Sequence, residues 1–170
     1  TDLLFLNRFL VILYICNLLK IPVTISAGKT NLTGSATPNG GLVLSVVNMR
    51  EPNTSIDAEN KTAKSSVGAV LEDMRNDIIE LSNKSLYYPV DPTSRKEAMI
   101  GGTLSCNASG FIPGAMGATR YWVDALNLIL PNGYNIKCKK GQYISYKSYF
   151  ILDNIKLQLP TYNRPKIKNA

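Results

Sequence analysis

Residues 3–19 are apolar at almost every position, interrupted only by Asn7, Arg8 and Asn17. The run falls short of the ~20 clean apolar residues of a membrane-spanning helix. Asp2 before it and Lys20-Ile21-Pro22 after it do not fit a signal peptide. A buried or part-buried helix is predicted. Residues 21–25 read as a short strand, with Pro22 near its start, where a missing N–H is tolerated. Residues 27–41 form a long loop of Gly, Ser, Thr and Asn, and residues 42–46 are an apolar run of strand length. Residues 61–67 read as a further strand. After Gly68 the period changes. Val70, Leu71, Met74, Ile78 and Leu81 recur every three or four residues, with Glu72, Asp73, Arg75, Asn76 and Glu80 between them. That is an amphipathic helix, and the early acidic pair suits its dipole.

Downstream, Asp91-Pro92-Thr93-Ser94 reads as a turn, and residues 100–110 are a stretch of small residues. Leu126, Leu128 and Leu130 share one face of a strand. Pro131-Asn132-Gly133 turns the chain so that residues 134–138 return antiparallel. Strands with a crossover helix early in the chain and a hairpin later predict a mixed α+β domain in two lobes, residues 1–63 and residues 64–170.

The 170 residues are 45% hydrophobic, enough for a packed core. None is histidine, so this chain supplies no imidazole base and no Ser-His-Asp or Cys-His arrangement. Cys16, Cys106 and Cys138 match no zinc or redox spacing, which predicts free thiols in a reducing, cytoplasmic compartment. The apolar start leaves membrane association of a longer protein open. Net charge is +7 and unevenly placed. Residues 1–136 hold 11 basic and 11 acidic residues, whereas residues 137–170 hold eight basic residues against Asp153 alone. That stretch either attracts an anion or is a solvated segment. Five Asn-X-Ser/Thr sequons begin at Asn31, Asn53, Asn60, Asn83 and Asn107, and are read as chance in an Asn-rich chain.

Two glycine-bearing loops carry the chemistry. Residues 26–35 follow a predicted strand, and such a loop can aim several backbone N–H groups at one anion. Gly28-Lys29-Thr30 invites a P-loop reading, but Val23 stands where the first glycine is needed, and Gly34, Pro38, Gly40 and Gly41 oppose the helix that must follow. No G-x-G-x-x-G is present either. In the second loop, residues 100–110, Gly101-Gly102 lets backbone approach a ligand, and a helical turn starting at Thr103 would present free N–H groups to phosphate. Each loop alone is equally readable as a turn.

Together, and with their flanks, they resemble a family. Residues 24–41, then Tyr88-Pro89-Val90-Asp91-Pro92, then residues 100–110, then Gly117-Ala118-Thr119-Arg120-Tyr121-Trp122-Val123, then Leu130-Pro131-Asn132-Gly133 are similar to the p-cresol methylhydroxylase (PCMH) type FAD-binding domain of the FAD-linked oxidases. Within that family it resembles the glycolate oxidase and D-lactate dehydrogenase group. The resemblance implies a two-lobed PCMH-type fold holding FAD. Ala27, Gly28, Lys29, Thr30, Asn31, Leu32, Gly34 and Ser35 would wrap the pyrophosphate. Pro89, Asp91, Thr93 and Ser94 would lie by the cofactor on the second lobe. Gly101, Gly102, Ser105, Asn107 and Gly110 would continue that wall, with Gly117 and Thr119 near the flavin end. It further implies oxidation of a small 2-hydroxy acid whose contacts lie on a separate substrate domain. Lys29 replaces a glycine usual in the first loop. No later segment resembling Gly-Ser-Glu-Gly-Thr-Leu-Gly occurs before Ala170, so a C-terminally truncated fragment, inactive alone, is expected. Without histidine, noncovalent FAD is expected, and no nucleic acid. The rivals are an anion or nucleic-acid binder using residues 137–170, for which Tyr143, Tyr146, Tyr149 and Tyr162 are available, and an inactive remnant.

Overall fold

The computed structural model describes residues 3–152 and 154–159. Helix α1 (Leu3–Leu18) ends at Lys20, which takes a left-handed conformation while the Ile21 N–H donates back to the Cys16 carbonyl. This is the hydrogen-bonded stop common at helix C-termini. Strand β1 (Val23–Ser26) runs parallel to β2 (Leu42–Ser45), pairing Val23 with Leu42 and Ser26 with Ser45. Parallel neighbours need a long crossover, usually a helix. Here the crossover is the Gly- and Ser-rich loop of residues 27–41 itself.

Phe9, Ile12, Leu13 and Cys16 lie along one face of α1, at the spacing that keeps helical residues together. Phe9 joins Leu44, Val46 and Met49 in the first core, with Ile12, Leu13, Val23, Ala27, Val67 and Ile129 packed against it. The opposite face, with Val11, Tyr14, Ile15 and Leu18, is exposed. So α1 is half-buried, although its sequence is apolar all round. No helix among the described residues is long and apolar enough to cross a membrane.

A small hairpin follows, β3 (Ser55–Asp57) antiparallel to β4 (Thr62–Lys64). The Asp57 carboxylate accepts from both the backbone and the side-chain amide of Asn60 in its turn. The sequence predicts the second of these strands but not the first. Helix α2 (Leu71–Leu81) buries Leu71, Met74 and Ile78 against Ala98, with Ile56, Leu86, Tyr88 and Ile100 around them. Full burial of Leu71 alone is worth about 2 kcal/mol. No side chain caps this helix. Its first N–H groups, of Leu71 and Glu72, donate to the Ala98 and Arg95 carbonyls instead.

Helix α3 (Ile100–Ser105), the short α4 (Pro113–Met116) and a 3-10 turn (Thr119–Trp122) lead to the hairpin of β5 (Ala125–Ile129) and β6 (Asn135–Lys139). Leu126 faces Cys138 and Leu128 faces Ile136, while Leu130 lies just past the strand. The turn at Gly133 rests on α1 beside Leu10 and Tyr14. A last hairpin pairs β7 (Tyr149–Leu152) with β8 (Ile155–Gln158). The architecture is α+β, as expected. Each hydrophobic core draws residues from both sides of residue 63: Val67 and Ile129 in the first, Ile56 in the second.

Candidate functional site

The crossover loop begins where β1 ends, at Ser26. This serine is fully buried, and its hydroxyl has no hydrogen-bond partner among the described residues. From Ala27 to Ala36 no backbone N–H donates to a carbonyl among the described residues. Lys29 and Gly34 turn the chain through the left-handed region. The loop's side chains stitch to one another. The Asn31 amide donates to the hydroxyls of Ser35 at 2.7 Å and Thr33 at 3.3 Å. The side chains of Asn31, Thr33 and Ser35 are spent on one another, and the amides have no backbone acceptor among the described residues. Leu32 is fully exposed and Thr30 is half-buried.

The loop lies directly against the second glycine-bearing segment. Gly28 sits so close to Glu97 that a Cβ there would overlap the Glu97 carbonyl oxygen. A Cβ on Gly102 would stand 3.6 Å from the Ala27 methyl. Helix α3 starts at Ile100 rather than Thr103. The Thr103 N–H is used by the Met99 carbonyl, and those of Ile100 and Gly101 by Ala69 and Val67. Of the first turn, the Gly102 N–H has no backbone acceptor among the described residues. Gly101 faces Val67, 3.1 Å from where its Cβ would be, so its small size serves packing within the protein.

The wall continues through contacts of the protein with itself. The Ser105 hydroxyl donates to the Gly101 carbonyl. Asn107, in the left-handed region, accepts from the Arg120 N–H. Buried Thr119 donates from both its N–H and its hydroxyl to the Ala108 carbonyl, at 2.9 and 2.8 Å. Gly117 lies against the Tyr121 ring. Gly110 packs on the backbone of Asp91, whose carbonyl accepts from the Phe111 N–H. The Ser94 carbonyl accepts from Glu97 and Ala98, while Thr93 is exposed.

Arg95 Nη1 donates to both carboxylate oxygens of Asp91, at 2.7 and 2.9 Å, while its Nε pairs with Glu72. Arg75, from α2, reaches the same carboxylate at 2.6 Å. The Arg95 hydrogen bonds, helped by Arg75, hold the Asp91 carboxyl below the usual carboxylate range. The network fastens residues 89–98 to α2. Pro89 and Asp91 line a cleft of about 140 Å³ with Arg75, Tyr87, Ser109, Phe111, Ile112 and Met116. None of residues 27–35 lines this cleft.

Residues 27–28 thus meet residues 97–102, Gly110 meets Asp91, and residues 107–108 clamp residues 119–120. The side chains of Asp91, Ser105, Asn107 and Thr119 spend polar groups on the protein, whereas the first loop keeps its amides. Sequence reasoning missed Ser26, Gly68 and the arginine network. Gly68 is wedged under the carbonyls of Val46 and Met49, two residues of the first core. Among the described residues no cluster of Cys, Asp or Glu has metal-holding geometry, and the three cysteines are free.

A dinucleotide diphosphate fits this arrangement. It needs many donors and close backbone approach, and residues 27–36 offer unspent amides beside a buried, unpartnered Ser26 hydroxyl. The comparisons agree. The family described as FAD binding domain matches residues 9–139. Glycolate oxidase subunit GlcD of Bacillus subtilis is 38% identical over 123 residues, covering 72% of this chain and 25% of that protein. D-lactate dehydrogenase of Anaerostipes hadrus is 36% identical over 123 residues, with the same coverage of 72% and 25%. The chain therefore spans about a quarter of the length of these relatives. Among solved structures, the grass pollen allergen Phl p 4, with glucose dehydrogenase activity, shares the fold at a TM-score of 0.67 and 18% identity, covering 78% of this chain and 27% of that one. With match, relatives and fold in accord, the chain belongs to the FAD binding domain family of FAD-linked oxidoreductases, whose cofactor is FAD.

Proposed function

We propose that this chain is the part of a flavin-dependent oxidoreductase that holds FAD noncovalently, and that the whole protein oxidises a small 2-hydroxy acid of the glycolate or D-lactate kind. The observation that carries the reading is the run of unspent amides over residues 27–36, pressed against Glu97 and α3. Two segments some seventy residues apart converge where a diphosphate needs donors from both.

Bound FAD would supply the redox chemistry, and the protein supplies binding and orientation. In this reading Ala27, Gly28, Lys29, Thr30, Asn31, Leu32, Gly34 and Ser35 surround the diphosphate, with the Gly102 N–H opposite. Pro89, Asp91, Thr93, Ser94, Gly101, Ser105, Asn107, Gly110, Gly117 and Thr119 shape the wall along which the rest of the cofactor lies. Asp91 acts through its backbone contact with Gly110, because its carboxylate is held by Arg75 and Arg95. The division into lobes at residues 63 and 64 belongs to the same proposal. In this reading the contacts to the substrate lie on a separate substrate domain. A cytoplasmic setting goes with three unpaired thiols.

The glycine-bearing loops fall inside the family match, so the basic C-terminal stretch is not needed to explain them. The test is a thermal melt of the purified chain with and without FAD. FAD at a hundredfold over its dissociation constant adds about 2.7 kcal/mol. For a chain of this size, melting should rise by roughly 5–10 °C. A melting temperature unmoved by FAD but raised by an oligonucleotide would reverse the assignment.

A further inference from the structure

Lys29 lies inside the loop read above as holding the diphosphate, and its conformation sets it apart from the other lysines. Lys29 has a φ of 56°, in the region that costs an L side chain energy and glycine nothing. Four other lysines also have positive φ: Lys20, Lys61, Lys84 and Lys147. Lys20 and Lys84 end α1 and α2, Lys61 turns the β3–β4 hairpin, and Lys147 lies just before β7. There the conformation serves to reverse the chain. Lys29 ends no element. It sits within the run of unspent amides, its side chain is exposed, and it makes no ion pair among the described residues. No acidic residue occurs between Asp2 and Glu51. Even with Glu97 backbone packed on Gly28, the Glu97 carboxylate does not pair with Lys29. A cation with no ion pair among the described residues stands where a glycine would be easier, within a run of amides that have no backbone acceptor.

We propose that the Lys29 ammonium makes a direct charge contact with the diphosphate of the bound dinucleotide. This rests on the FAD reading above and makes the phosphate charge part of cofactor selection. Part of the affinity for FAD would then depend on the charge of its diphosphate, and riboflavin, which has none, would gain nothing from Lys29. The contact would also weaken with salt, since screening shortens from ~10 Å at 0.1 M to ~3 Å at 1 M.

The experiment is fluorescence titration of FAD and of riboflavin into the full chain and its Lys29→Ala, Lys29→Gly and Lys29→Arg variants, at 0.1 M and 1 M NaCl. Each ligand-free variant is also melted. Lys29→Ala and Lys29→Gly should bind FAD about tenfold more weakly than the parent at 0.1 M salt and within about twofold at 1 M. Lys29→Arg should stay near the parent, since arginine keeps the charge. Riboflavin binding should be unchanged throughout. Lys29→Gly should melt a few degrees higher without ligand while binding FAD less tightly. A lysine with only a structural role would not produce those opposite signs. Parental FAD affinity in Lys29→Ala and Lys29→Gly at 0.1 M would overturn the proposal and leave the FAD reading intact. A parent chain that binds no FAD would remove both.

Discussion

Gly28→Ala is expected to separate the two loops and abolish FAD binding. The added methyl would overlap the Glu97 carbonyl oxygen and lie 3.0 Å from the Glu97 carbonyl carbon and 3.3 Å from the Ala98 Cα. All three are backbone atoms, so no side-chain rotation relieves the clash. Either the first loop lifts away or residues 97–98 shift. The latter carry the Ala98 carbonyl that receives the Leu71 N–H at the start of α2. Overpacking of this kind costs typically 1–3 kcal/mol. With only backbone to yield, about 3 kcal/mol is expected, a fall of roughly 6–12 °C in melting temperature. Gly102→Ala is the matched control. Its methyl meets only the Ala27 Cβ, at 3.6 Å, an ordinary contact. Melting should hold within about 2 °C, because a change that disturbs no packing stays near 0.5 kcal/mol. FAD affinity should nevertheless fall, because the methyl occupies the space between α3 and the loop. Paired melts and FAD titrations of the two variants check both halves.

The second large effect is expected at Gly110, where the second loop meets the Asp91 segment. Its φ of 71° already disfavours any L residue. An added Cβ would also lie 2.7, 2.8 and 2.9 Å from the backbone N, C and O of Asp91. Asp91 cannot yield readily, since Arg75 and Arg95 both hold its carboxylate and Val90 beside it is buried. Strain and overlap together should cost about 2–4 kcal/mol in Gly110→Ala. The variant should melt lower by roughly 4–16 °C and bind FAD more weakly, since the wall beyond α3 loses its anchor. Chemical denaturation with a parental m-value would show that stability changed and compactness did not.

The sequence made some elements legible and hid others for physical reasons. Helix α2 was readable because Leu71, Met74 and Ile78 follow the helical period with charges between them, and all three are buried. The β5–β6 hairpin was readable from Asn132-Gly133 between apolar runs. Strand β3 was not, because Ser55-Ile56-Asp57 is too short to show alternation. Helix α3 was concealed by its two adjacent glycines, which weaken helical propensity. Tertiary bonds from Ile100 to Ala69 and from Gly101 to Val67 fix its first turn instead. In α1 the helix was legible and its exposure was not: an all-apolar run does not say which face finds a neighbour.

For the site, glycine content marked both loops, and resemblance put them in one domain. What no residue type could announce was the contact itself. Gly28 meets the carbonyl of Glu97, a backbone group that any residue would provide. Likewise, Ser105, Asn107 and Thr119 read equally well as ligand contacts or as struts. The structure shows their polar atoms bonded to Gly101, Arg120 and Ala108.

Amide hydrogen exchange on the intact chain, with and without FAD, bears most directly on where the cofactor sits. Saturating FAD should slow exchange at residues 27–36 and 100–110 together, with little change at residues 137–152. Unaltered exchange in both glycine-bearing segments, or protection confined to the basic hairpins, would contradict a diphosphate held between them.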